Sequence, residues 1–199
     1  MSEGSNSYGA DSVWWDGAVG YEIYIRSFAD SNGDGIGDLA GIEAHLDHIA
    51  WLGADIVWIT PFMPSPGFDH GYDISDYRNV DPTHGTVADF ERVVARAHEL
   101  GLRVLVDLVP NHTSSSHPWF VDAVSGPDSA HRDRYVWRSG ASMADSPTTG
   151  PAYFEGRCGR ARRGFRAVLL PPLPSRAARS HWANPAVVEG VRRHPALLV

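Results

Sequence analysis

Trp51-Leu52-Gly53-Ala54-Asp55-Ile56-Val57 and Glu99-Leu100-Gly101-Leu102-Arg103-Val104-Leu105 are built alike. Each is a helix end, a Leu-Gly stop, two linking residues and an apolar run. Gly just past a helix supplies the left-handed residue that closes it. The run that follows is continuous rather than alternating, as in a strand buried on both faces by helices. Upstream, Val19-Gly20-Tyr21-Glu22-Ile23-Tyr24-Ile25 reads as a first strand, rich in aromatic and β-branched residues. Asp38 is placed to cap a helix with Ile42, Leu46 and Ile49 at helical spacing. Asp55–Ile59 is the second strand. Thr86, with Asp89 three residues on, resembles a capping box and opens a helix carrying Val87, Phe90, Val93, Ala97 and Leu100. Val104–Val109 is a third strand, interrupted only by Asp107. The order β-α-β-α-β predicts an α/β protein with a parallel sheet, open or closed into a barrel. Sites in such folds lie at the C-terminal ends of the strands.

The chain has 199 residues, enough for one domain or one and a half. No apolar run approaches the ~20 residues of a membrane helix, and the polar start Met1–Ser7 does not read as a secretory leader. The single cysteine, Cys158, excludes an internal disulfide framework and a multi-cysteine metal site. Cytoplasm is the expected compartment. A net charge of -7 argues against a nucleic-acid partner. That charge is unevenly spread. Residues 1–156 carry eight Arg against 23 acids, whereas residues 157–199 carry nine Arg against one acid, Glu189.

Three segments at the predicted strand ends carry the candidate chemistry. In Asp30-Ser31-Asn32-Gly33-Asp34-Gly35-Ile36-Gly37-Asp38, side-chain oxygens recur at alternate positions. Hard cations such as Ca²⁺ need six to eight oxygen ligands, and glycines permit a tight wrap. The pattern matches the front of an EF-hand loop, but Gly41 stands where the bidentate Glu belongs. A solvated turn is the alternative. Phe68-Asp69-His70-Gly71-Tyr72-Asp73-Ile74-Ser75-Asp76-Tyr77 interleaves acids with aromatics. Carboxylates bind sugar hydroxyls and aromatic faces bind the ring; a polar loop with its aromatics turned inward is the alternative. Asp107-Leu108-Val109-Pro110-Asn111-His112 places an acid inside an apolar strand and Asn-His at its end. A buried carboxylate is costly unless paired, so Asp107 either holds the next loop or serves a site. Ser114-Ser115-Ser116-His117 reads as ordinary loop, and His98 as a helix-surface residue.

Taken together with Trp14-Trp15, Ile25-Arg26-Ser27-Phe28 and His117-Pro118-Trp119-Phe120, these segments resemble glycoside hydrolase family 13, the α-amylase family, in family order from about Trp14 to Trp137. They are most similar to its oligo-1,6-glucosidase/α-glucosidase branch and the related trehalose synthases. The resemblance implies a (β/α)8 barrel with a domain B inserted after strand three. Residues 1–112 would then be the N-terminal portion of the barrel, about three strands, and 113–156 the start of domain B. By the same resemblance, Asp30, Asn32, Asp34, Ile36 through its carbonyl, and Asp38 would bind structural Ca²⁺. Asp69 and Tyr72 would line the subsite for the non-reducing glucose of a small oligosaccharide, Tyr72 stacking on the ring. Asp107 would position the catalytic centre and His112 would bond the same glucose. Position 70 is His where many relatives carry Asn. The implied reaction is retaining hydrolysis of short α-linked glucosides, with a carboxylate nucleophile and a carboxylic acid proton donor. The alternatives are a trehalose synthase working through the same intermediate, or a non-catalytic remnant that binds calcium and sugar.

The nucleophile and the acid/base of the family lie on later strands, and none of those motifs occurs here. A full barrel takes about 250 residues. Strand three is expected to be an open edge, and the chain an inactive N-terminal fragment. Residues 157–199 read as an aberrant Arg/Pro-rich tail. A one-nucleotide shift over Ala161–Ser180, and others over Asp145–Gly150 and Gly190–Leu198, could restore family-like sequence, while Trp182–Glu189 is family-like as it stands. The reversal of charge favours shifted reading frames over a divergent basic tail.

Overall fold

The structure, a computed structural model, describes residues 13–138 and 177–193 together with residues 160, 161, 168 and 169. At its centre are three parallel strands in the order β1 (Gly20–Ile23), β2 (Ile56–Ile59) and β3 (Arg103–Val106). Their register sets Tyr21 beside Val57 and Val104, and Ile23 beside Ile59 and Val106. These two rows face the helices and join the main core. The intervening row, Glu22, Trp58 and Leu105, points to the other face and is exposed.

Two long helices cover the core face. Helix α2 (Leu39–Trp51) follows a single helical turn, α1 (Ile25–Phe28), and the Gly/Asp loop. Asp38 caps it by accepting from the Gly41 amide at 2.6 Å. Leu39, Ile42, Leu46 and Ile49 fall on one stripe and are fully buried. Helix α3 (Val87–Glu99) opens with the complete Thr86/Asp89 capping box and buries Phe90, Val93, Val94 and Ala97. Both helices end at glycines with positive φ, Gly53 at 83° and Gly101 at 76°, where a side chain would be strained. Arg92–Glu43 at 3.2 Å and Arg96–Asp47 at 2.8 Å bridge the two helices across their solvent edge. Such exposed pairs contribute only about 0.2–1 kcal/mol each, so burial rather than charge holds α2 to α3.

Two strand ends differ from the sequence expectation. The first strand stops at Ile23 rather than Ile25, because the chain turns so that the Arg26 and Ala29 carbonyls receive the Gly37 and Asp38 amides at 2.8 and 3.0 Å. Gly37 is required there: a Cβ would lie 2.0 Å from the Ile25 carbonyl oxygen. The third strand stops at Val106 rather than Val109. Asp107 N reaches Ile59 O at 3.4 Å, and the neighbouring chain then enters Pro61, which has no N–H to offer.

Beyond β3 the chain enters β4 (His112–Ser114) and α4 (Pro118–Ala123), with a 3₁₀ turn at Arg132–Arg134. β5 (Trp137–Arg138), β6 (Arg160–Ala161) and β7 (Val168–Leu169) form a small antiparallel sheet in the order β5-β7-β6. β8 (Ala177–Arg179) pairs antiparallel with β4. Helix α5 (Pro185–Arg192) is capped by Asn184, buries Val187, and brings Gly190 so close to Trp119 that a Cβ would sit 2.5 Å from the indole. Across residue 157, β7 pairs with β5, β8 pairs with β4, and α5 packs on Trp119. Residues 145–150, most of the stretch 161–176 and Cys158 lie outside the described residues. Among the described residues no helix is long and apolar enough to cross a membrane.

Candidate functional site

Asp107 is the first residue past β3, at the C-terminal end of the sheet. Its Oδ1 accepts from Trp58 Nε1 at 2.7 Å, and its Oδ2 from the Tyr72 hydroxyl at 2.7 Å. The acid that follows the apolar strand is therefore paired through both of its oxygens. The Tyr72 phenol is pushed up to about 12, first by burial, then by donating to Asp107 and by that carboxylate's charge. It stays a protonated donor throughout the neutral range.

Tyr72 sits in the long loop 60–85. Gly71 precedes it at φ 100°, and a Cβ there would lie 2.8 Å from the Pro61 carbonyl. His112 is 6% exposed, with Nε2 2.9 Å from the Tyr72 carbonyl and Nδ1 3.4 Å from Asn111 Nδ2. A carbonyl only accepts, so Nε2 carries the proton and Nδ1 faces a donor, the pattern of a neutral ring. Burial lowers the His112 pKa; the Tyr72 carbonyl and the charges of Asp69 and Asp73 oppose that shift. Asp69 is half-buried, and burial pushes its carboxyl up, with His112 opposing and Asp73 adding to the rise. Among the described residues no hydrogen bond to the Asp69 carboxylate forms, which leaves both oxygens for hydroxyl groups of a ligand.

The fold thus brings Asp69, Tyr72, Asp107 and His112 together through direct bonds and charge coupling. Three further residues hold them, and sequence reasoning assigned none of them a role. Asp73, 1% exposed, accepts from Ser65 Oγ at 2.6 Å, Phe68 N at 3.2 Å and Asp69 N at 3.1 Å, and so shapes the turn that presents Asp69. The buried Tyr77 hydroxyl lies 2.8 Å from Val109 O and 2.7 Å from His112 O, tying the loop to the segment after β3. Burial pushes that phenol up as well. Trp58 is the third. Its signal, an aromatic in an apolar strand, is the same as that of any core residue.

In the Gly/Asp loop the oxygens fold back on the chain. Asp30 accepts from Asn32 N, Gly33 N and Gly35 N at 3.1, 2.7 and 2.7 Å, Asn32 from Asp34 N at 2.9 Å, and Asp34 from Ile36 N at 2.8 Å. The amides of Gly35 and Gly33 hold the exposed Asp30 carboxyl below its usual range. Asp38 turns one oxygen to the helix cap and the other to Ser31 N and Oγ at 3.0 and 2.8 Å. The oxygen-only donor set of Asp30, Asn32, Asp34 and the Ile36 carbonyl fits a hard cation in its chemistry. Among the described residues, however, no three side chains of the His, Cys, Asp and Glu types converge as a metal centre.

A parallel α/β sheet with a polar, partly buried cluster at its strand C-termini defines the class: an α/β scaffold, open or barrel, that carries its site at the strand ends. Comparison with known proteins makes this specific. Residues 22–194 match the α-amylase family, described as alpha amylase, catalytic domain. A probable α-glucosidase of Rhizobium meliloti is 54% identical over 146 residues, 73% of this chain and 26% of that protein. The oligo-1,6-glucosidase of Parageobacillus thermoglucosidasius is 42% identical over 177 residues, 89% of this chain and 31% of that protein. Among solved structures, an α-glucosyl transfer enzyme superposes with TM-score 0.86 at 42% identity, covering 90% of this chain and 34% of that one. A Bacillus licheniformis trehalose-6-phosphate hydrolase does so with TM-score 0.86 at 40% identity, covering 90% and 32%. The chain belongs to the α-amylase family of glycoside hydrolases and spans about a quarter to a third of the length of these relatives. Its three-stranded sheet is the N-terminal part of the family's (β/α)8 barrel, followed by the start of inserted domain B.

Proposed function

We propose that Asp69, Tyr72, Asp107 and His112 form one wall of a glucose subsite, belonging to a retaining α-glucosidase that acts on short α-linked glucosides in the cytoplasm. The observation that carries this reading is the Tyr72–Asp107 pair at the end of β3. It holds an aromatic ring next to a carboxylate, the two groups a pyranose needs, with the free oxygens of Asp69 close by in the same loop. The likeness to a probable α-glucosidase and an oligo-1,6-glucosidase agrees with it. Asp69 accepts from hydroxyls and Tyr72 supplies the ring face, while His112, its Nε2–H given to the Tyr72 carbonyl, holds the Tyr72 backbone in place. The wall alone does not perform the reaction. Retention needs a nucleophilic carboxylate and a second carboxylic acid about 5–5.5 Å apart, and Asp107 has both oxygens engaged by Trp58 and Tyr72. On this reading the 199-residue chain binds sugar and releases no glucose.

Calorimetric titration with maltose, beside a glucose-release assay, tests this. Binding that disappears in Asp69→Asn and Tyr72→Ala, with no glucose released, is the expected result. No binding at all removes the subsite reading, and glucose release by the pure chain removes the inactive one. Glucosyl transfer to a sugar hydroxyl is a second reading for the whole enzyme, favoured by the equal likeness to an α-glucosyl transfer enzyme and a trehalulose synthase. The oxygen-rich loop is proposed to take structural Ca²⁺ through Asp30, Asn32, Asp34 and the Ile36 carbonyl, with Asp38 shared between the ion and its helix cap.

A further inference from the structure

We infer that Trp58 is a positioning residue of this site: its indole N–H fixes Asp107, and through Asp107 the ring of Tyr72. The inference rests on the subsite reading above and names the residue on which that subsite's geometry depends.

Two donors grip Asp107 from different elements. Trp58 Nε1 lies 2.7 Å from Oδ1, and the Tyr72 hydroxyl 2.7 Å from Oδ2. They are not equivalent. Trp58 belongs to β2, whose register against β1 and β3 is set by ladders on both sides. It lies beside Leu105, so Trp58 and Asp107, two residues beyond Leu105, share one face of the sheet. Tyr72 belongs to the long loop 60–85 between β2 and α3, and its phenol is anchored by the bond to Asp107. The order of dependence follows: strand to indole, indole to carboxylate, carboxylate to phenol.

The chemistry of the indole suits this role. Its N–H donates only, so it bonds Asp107 as an acceptor and never competes for a proton. A carboxylate held at one oxygen can turn about its side-chain bonds, whereas one held at both oxygens from two elements cannot. Removing the indole N–H leaves Asp107 free to turn and to carry the Tyr72 hydroxyl with it. Trp58 lies in the same outward row as Glu22 and Leu105, on the face from which Asp107 follows β3.

The test is made on the 199-residue chain, using ¹⁵N-labelled indole spectra. There are seven tryptophans, and Trp58→Phe, which keeps an aromatic ring in place, assigns the Trp58 signal. A bond to a carboxylate holds that indole proton downfield. Asp107→Asn and Asp107→Ala are expected to shift it, while the Trp51 signal, from a residue 78% exposed on α2, stays put. The Tyr72 ring resonances, assigned with Tyr72→Phe, are expected to move in Trp58→Phe as they do in Asp107→Ala. Maltose affinity is expected to fall about tenfold in Trp58→Phe, the loss of a hydrogen bond to a charged group. A Trp58 indole signal unmoved by both Asp107 variants overturns the inference. So do Tyr72 resonances unmoved in Trp58→Phe. If the wild-type chain binds no maltose, the subsite reading fails, yet the indole and ring signals still decide whether Trp58 holds Asp107 and Tyr72.

Discussion

His112 shows how one side chain ties the site to the pH of its surroundings. Its ring is buried, neutral and bonded through Nε2 to the Tyr72 carbonyl. Burial depresses its pKa in the folded chain, whereas the unfolded value is about 6.5. The folded state therefore binds fewer protons than the unfolded one in this window. The contribution is fully present above about pH 6.5 and is lost as pH falls through the depressed folded value. Asp69 runs the other way. Burial raises its pKa, so its contribution is present below the unfolded value of about 3.9 and is lost as pH rises through the raised one. Urea midpoints measured from pH 8 down to pH 5 should fall more steeply for the wild type than for His112→Gln. Equal slopes would mean that His112 is not the group responsible. At this scale the sequence was readable where a residue clashes with its own neighbours. Asp107 among aliphatics and His112 after Pro110 and Asn111 stand out without a structure. Trp58 and Tyr77 do not, because their meaning lies in partners 49 and 32–35 residues away.

Elements divide in the same way between local and distant causes. Helix α3 was legible to within a residue because everything that starts and stops it is local: Thr86, Asp89 and Gly101. The ends of β1 and β3 were not, because a strand ends where its neighbour stops offering amides, and that neighbour is remote in sequence. The loop between β1 and α2 combines both causes. Its oxygens bond the loop's own amides, and Asp38 also caps α2. Asp38→Ala removes the cap together with the Ser31 clamp, and should cost about 1–2 kcal/mol in urea unfolding. Ca²⁺ bound only to the folded loop adds stability by mass action. The melting temperature should therefore rise with Ca²⁺ and return on chelation, and Asp34→Ala should abolish the rise. A melting temperature indifferent to Ca²⁺ would leave the loop held by its own hydrogen bonds alone.

At the scale of the whole molecule, the two faces of the sheet have opposite fates. The face toward α2 and α3 carries Ile23, Val57 and Ile59, all 0% exposed. The other face carries Trp58 at 37% and Leu105 at 46%. Strand three is expected to be an open edge because a full barrel takes about 250 residues, and among the described residues it pairs only with β2. Leucine on that face, with Leu105 at 46% exposure, gains little from folding, since the stabilisation scales with apolar area removed from water. Leu105→Asn should therefore change the urea-unfolding free energy by no more than about 0.5 kcal/mol. Leu46→Ala, at a position 0% exposed, should cost about 2–5 kcal/mol. Contiguous exposed apolar surface also drives association, so Leu105→Asn should lower the sedimentation-average mass at high protein concentration. If Leu105→Asn proved as costly as Leu46→Ala, the inner face would have to be buried in solution. A concentration-dependent cost would then assign the cover to a second copy of the chain, and a concentration-independent one to the chain itself.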